Sequence, residues 1–181
     1  GRQDVVWQSI SPEQLVNEAI RLRDRGNVGI AYTYNEPLVN YEFVRDCAQL
    51  AHEYGLVNVL VSNGMANAEI IEDLAGLLDA VNIDLKGFNQ EFYSFVRGDL
   101  DSVKRSIEIL VNCPTCHVEV TTLIVPGKND TDKEIVALAQ WLASLDPEIP
   151  YHVSRFFPCY KMAHENPTPV RRVYHLADVA R

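Results

Sequence analysis

Val118-Glu-Val-Thr-Thr-Leu-Ile-Val-Pro-Gly-Lys-Asn-Asp130 decides the fold. Its first eight residues are β-branched or apolar apart from Glu119, as a buried strand requires. Pro126-Gly127 ends the run, and Lys128-Asn129-Asp130 supplies polar turn chemistry. Thr131-Asp132-Lys133-Glu134 then has the spacing of a capping box opening a helix to about Leu145. Strand, polar ending and helix make one βα unit.

Four further runs repeat the pattern without repeating the sequence. Residues 28–32 end in Thr33-Tyr34-Asn35-Glu36-Pro37, and residues 57–61 in Ser62-Asn63-Gly64. Residues 81–85 contain Asp84 and end in Lys86-Gly87. Residues 151–157 hold Ser154 and Arg155 and end in Pro158-Cys159-Tyr160-Lys161. Helical periodicity covers 38–54, 68–78 and 101–112, and a further helical pattern begins near Val170. Ser11-Pro12-Glu13-Gln14 is another capping box, opening a helix that ends before Gly26. Alternating strands and helices predict an α/β fold with parallel strands. All five polar endings then share one sheet edge, where parallel folds bind ligands.

A chain of 181 residues, 47% apolar, is enough for one domain, 1–181, with a substantial core. No run approaches the roughly 18 apolar residues of a membrane span, and no signal-peptide pattern is present. A cytoplasmic protein without a membrane partner is expected. The net charge of −9 argues against a nucleic-acid partner, which requires clustered Lys and Arg. Arg21, Arg23 and Arg25 suit a helix C-terminus.

Polar residues within buried strands need a reason. Asn82 and Asp84 share a face, as do Glu119, Thr121 and Leu123. Glu36, directly after a strand and before a helix-starting proline, reads equally as a helix cap or as an acceptor for a ligand ammonium or hydroxyl. Asp84 and Lys86 read as an internal ion pair or as two ligand contacts. Ser62-Asn63-Gly64 and residues 126–130 also have plain turn readings. Arg155 favours a carboxylate or phosphate partner. His152 enters the fifth strand and could face a barrel interior. Cys113-Pro-Thr-Cys116-His117 matches covalent haem attachment and also a redox pair. Haem would need an export signal, and no second Cys/His pair at zinc spacing accompanies the motif.

At these endings the chain resembles the radical S-adenosylmethionine (radical SAM) superfamily. It is most similar to enzymes related to pyruvate formate-lyase activating enzyme, especially the radical SAM member of the AmmeMemoRadiSam system. The segments are Gly29-Ile-Ala-Tyr-Thr-Tyr-Asn-Glu-Pro37, Asn58-Val-Leu-Val-Ser-Asn-Gly64, Val81-Asn-Ile-Asp-Leu-Lys-Gly-Phe88, the run from Val118 to Asp130, and Ser154-Arg-Phe-Phe-Pro-Cys-Tyr-Lys-Met162. The resemblance implies a partial (β/α)6 TIM-like barrel with outer helices, binding S-adenosylmethionine along its strand ends. Tyr34, Asn35 and Glu36 would hold the methionine amino group, with Ser62 and Asn63 beside it. Asp84 and Lys86 would contact the ribose or carboxylate side, and Thr121, Thr122 and Arg155 are further carry-overs. The implied chemistry is reduction of S-adenosylmethionine by a [4Fe–4S] cluster to a 5′-deoxyadenosyl radical that abstracts hydrogen. A protein substrate, a flavodoxin- or ferredoxin-type electron donor and an oxygen-avoiding metabolism are implied with it.

The family's C-x3-C-x2-C cluster motif does not occur among Cys47, Cys113, Cys116 and Cys159. It is expected upstream, so the chain reads as a core truncated at both ends, inactive alone. A non-catalytic nucleotide-binding barrel and a CxxC redox protein are the alternatives.

Overall fold

The computed structural model describes residues 9–181. Five strands, β1 (Gly29–Tyr32), β2 (Val57–Ser62), β3 (Ala80–Asp84), β4 (His117–Ile124) and β5 (Tyr151–Arg155), form one sheet in sequence order. Every neighbouring pair is parallel. Seven α-helices are α1 (Pro12–Arg21), α2 (Tyr41–Glu53), α3 (Ala68–Ala75), α4 (Gln90–Phe95), α5 (Leu100–Val111), α6 (Asp132–Leu145) and α7 (Val170–Val179). The parallel α/β architecture with outer helices is as the sequence predicts, and the open five-stranded sheet fits the partial barrel that the resemblance implies.

Local chemistry explains the boundaries. In α1 the Ser11 hydroxyl accepts the Gln14 N–H at 3.3 Å, and the Gln14 side chain accepts the Ser11 N–H at 2.9 Å, a complete capping box. The second predicted box forms only by half. Thr131 Oγ1 accepts the Glu134 N–H at 3.3 Å, but the Glu134 carboxylate turns away to the loop after β3. Pro37–Asn40 winds as a 3₁₀ turn before α2, so the helix starts later than its apolar spacing suggests. The short helix α4 is absent from the sequence reading. Asn89 caps it by accepting the Phe92 N–H at 2.7 Å, and six residues are too few for a periodic signal.

The sheet's two faces differ. Ile30, Leu60, Ile83 and Val120 are buried beneath the helices, in one cluster with Cys47, Leu74 and Leu138. Burying a side chain of this size contributes about 1.5–3 kcal/mol. The opposite face carries Val61, Asn82, Asp84, Glu119 and Thr121, all half-exposed. The Val, Ile and Leu content of the strands predicts mostly apolar residues on both faces. Instead one face is open and polar, the side that a barrel turns inward. Among the described residues no helix is long and apolar enough to cross a membrane.

Candidate functional site

The C-terminal strand edge holds an open cleft of about 310 Å³, lined by Tyr34, Asn35, Glu36, Ser62, Asn63, Asp84 and Lys86, with Thr33 and Val61. Three successive strand endings thus meet in one place. Seven of the ten ligand-binding residues expected from sequence line it.

Glu36 is its most tightly held member. Oε1 accepts the Leu38 N–H at 3.1 Å and the Ser62 hydroxyl at 2.7 Å; Oε2 accepts the Asn63 N–H at 2.8 Å. The residue is therefore a helix cap, as one sequence reading has it, and also a cleft wall. The remaining lone pair on Oε2 can take a ligand N–H. Before it, Tyr34 and Asn35 have φ of 63° and 53°. Left-handed backbone costs a non-glycine residue about 1–2 kcal/mol, and this pair turns the chain sharply at the cleft. Ser62-Asn63-Gly64 is a real turn as well as a wall: Asn63 Oδ1 accepts the Met65 N–H at 2.7 Å, and Gly64 has φ of 69°. A Cβ on Gly64 would lie 2.9 Å from Ile83 Cγ2, so only glycine fits.

On β3, Asp84 and Lys86 form an ion pair while both line the cleft. Each side chain is about one-third exposed, leaving both charges reachable. Register sets Thr121 opposite Asp84 on the open face, where its hydroxyl donates to Asn82 Oδ1 at 2.7 Å.

Of the three expected site residues outside the cleft lining, Thr121 is on the open face and two lie elsewhere. Thr122 faces the helices, fully buried, and donates to the Leu85 carbonyl at 2.7 Å. The pleat forces this, because adjacent residues cannot share a face. Arg155 donates to the Thr168 carbonyl at 2.6 Å and stacks over Phe157, its guanidinium carbon 4.6 Å from the ring centroid. Its partners are a carbonyl and an aromatic face rather than a carboxylate or phosphate.

On the lower part of the open face Glu119 and His152, both singled out in the sequence, meet each other and His117. Glu119 accepts His152 Nε2 at 2.8 Å and lies 3.2 Å from His117 Nε2. These two imidazoles hold its carboxyl below the usual carboxylate range. The placement of His152 beside Thr121 follows from register alone.

The cysteines do not make a cluster site. Cys47 is buried in α2, Cys113 and Cys116 lie at the opposite strand edge, and Cys159 is exposed after β5. Among the described residues no group of three His, Cys, Asp or Glu side chains could hold a metal ion. Burial, with Cys113 nearby, pushes the Cys116 thiol up to about 12, unlike a redox cysteine.

The chain resembles known proteins in sequence and in fold. The radical SAM superfamily profile matches residues 2–142. An uncharacterized protein of Methanocaldococcus jannaschii is 37% identical over 169 residues, covering 92% of this chain and 49% of that protein. Pyruvate formate-lyase 1-activating enzyme of Escherichia coli is 26% identical over 157 residues, 80% of this chain and 63% of the enzyme. The chain thus spans about half to two-thirds of these relatives' length. A domain of pyruvate-formate lyase-activating enzyme from Bacteroides vulgatus superposes with a TM-score of 0.69 at 18% identity, covering 84% of this chain and 92% of that domain. With a family match over most of its length and a polar edge on a parallel sheet, the chain belongs to the radical SAM superfamily.

Proposed function

We propose that this chain is the S-adenosylmethionine-binding core of a cytoplasmic radical SAM enzyme of the glycyl-radical activating type. The observation that carries it is charge placement: a fixed carboxylate, Glu36, and an ammonium, Lys86, line one cleft. The methionine end of S-adenosylmethionine presents the complementary ammonium and carboxylate. Glu36 would take the ammonium, Lys86 the carboxylate and Asp84 the ribose hydroxyls. Tyr34 and Asn35 would close the rim. Likeness to activating enzymes supports the finer assignment, and a protein substrate and a flavodoxin- or ferredoxin-type donor are proposed with it.

The chain's four free cysteines, apart in the fold, do not fit a [4Fe–4S] cluster. Reconstituted anaerobically, this chain alone should hold no such cluster and release no 5′-deoxyadenosine. Four irons per chain together with 5′-deoxyadenosine would refute that.

Ligand binding tests the core of the proposal. Titrated with S-adenosylmethionine, the chain should bind, and Glu36→Ala and Lys86→Ala should each weaken binding about tenfold or more, the value of a hydrogen bond to a charged group. Binding unchanged in both variants would dismiss the assignment. Binding by a full-length protein that lacks cluster cysteines would favour the non-catalytic barrel.

A further inference from the structure

The connection after β4 does more than turn the chain. Asn129 is fully buried. Its Oδ1 accepts the Val125 N–H at 2.7 Å and its Nδ2 donates to the Leu123 carbonyl at 2.9 Å, tying the connection to the end of its own strand. Its third bond crosses to the neighbouring loop, Nδ2 donating to the Lys86 carbonyl at 2.6 Å. Glu134 crosses too. Instead of completing the capping box, Oε1 accepts the Phe88 N–H at 2.6 Å and Asn89 Nδ2 at 2.7 Å.

Other side chains grip the same loop. Tyr93 Oη accepts the Lys86 N–H at 3.2 Å, and Thr122 donates to the Leu85 carbonyl. Both backbone groups of Lys86 are therefore held by side chains. Gly87 shows how closely the parts fit. A Cβ there would lie 2.6 Å from Phe92 Cδ1, 3.0 Å from Glu134 Oε1 and 3.4 Å from Asn129 Cβ.

A lysine has four rotatable bonds and loses much entropy when it is ordered on a ligand. Fixing its backbone beforehand, with Asp84 holding its ammonium, lowers that cost. We infer that Asn129 and Glu134 are positioning residues: they clamp the loop after β3 so that Lys86 is presented to the ligand's carboxylate. This rests on the proposed role of Lys86.

The test is a set of S-adenosylmethionine titrations on the parent chain, K86A, N129A, E134A, E134Q and the doubles K86A/N129A and K86A/E134A. N129A and E134A should each weaken binding about tenfold, the order expected when a contact group drifts from position. E134Q keeps the accepting oxygen and should bind like the parent. In the K86A background the losses should vanish, because the clamp acts through Lys86. Amide exchange at Phe88 should accelerate in E134A, while that at Leu60 and Val120 stays slow. If N129A fails to fold, the half-buried Glu134 variants decide alone. Losses that persist undiminished without Lys86, or unchanged binding in N129A and E134A where K86A loses it, would overturn the inference. A parent chain that does not bind would defeat the Lys86 assignment itself and this inference with it.

Discussion

The two edges of the sheet are sewn by the same device and present opposite chemistry. At the C-terminal edge Glu36, after β1, accepts from Ser62 and Asn63 at the end of β2. At the N-terminal edge Asp79, before β3, accepts the Asn58 N–H of β2 at 2.7 Å and His52 Nε2 at 3.0 Å. Each carboxylate joins neighbouring strands. Only the first lies in a cleft beside a charged pair, Asp84 and Lys86, so a structural bond and the proposed ligand contact coincide there. What separates the edges is the chemistry left unspent.

The thiols give the largest contrast. Cys159, exposed after β5 at the C-terminal edge, should alkylate readily with iodoacetamide at neutral pH. Cys116, at the opposite edge, should react at least about a hundredfold more slowly than an unfolded thiol, since a thiol raised to about 12 has little thiolate. Mass spectrometry of timed digests reads both sites. Fast labelling of Cys116 in the native chain would revive the redox reading.

Paired carboxylate deletions come next. Glu36→Ala removes a cap and two further bonds and should cost about 2 kcal/mol in urea unfolding, with S-adenosylmethionine affinity lost as well. Asp79→Ala should cost about 1–2 kcal/mol while leaving affinity within about twofold. Equal loss of affinity in both would erase the distinction between the edges. Thr122→Val is smaller. It leaves the Leu85 carbonyl without its hydroxyl donor and should cost about 1 kcal/mol.

Much of the C-terminal edge is legible in sequence because the parallel repeat puts every strand ending on it. Glu36, Ser62, Asn63, Asp84 and Lys86 can be placed together from that rule alone. Thr122 marks where it stops: the same run carries Thr121 and Thr122, and which of them faces inward depends on a pleat phase that periodicity does not fix. Arg155 marks another limit, since its carbonyl partner on Thr168 lies 13 residues away in an irregular loop. Asn129 and Glu134 are visible in sequence as turn and cap residues. Their contacts to Lys86, Phe88 and Asn89 span more than 40 residues, and only the folded structure supplies them.

The smallest effect separates the edges by acid. Burial raises the Asp79 carboxyl, but the Asn58 N–H and His52 outweigh it and leave the group below its ordinary 3.8. A depressed folded value means that the unfolded chain binds protons first as pH falls. The stabilisation is complete above the unfolded value, begins to fade near pH 4 and is gone once pH passes below the folded value. With its side chain 41% exposed, Asp79 should contribute no more than about 0.5 kcal/mol after solvent screening. Urea midpoints measured from pH 6 to pH 3 should therefore fall less steeply in Asp79→Asn than in the parent. The same substitution should leave ligand affinity at neutral pH unchanged, because the bond it weakens lies at the edge opposite the cleft.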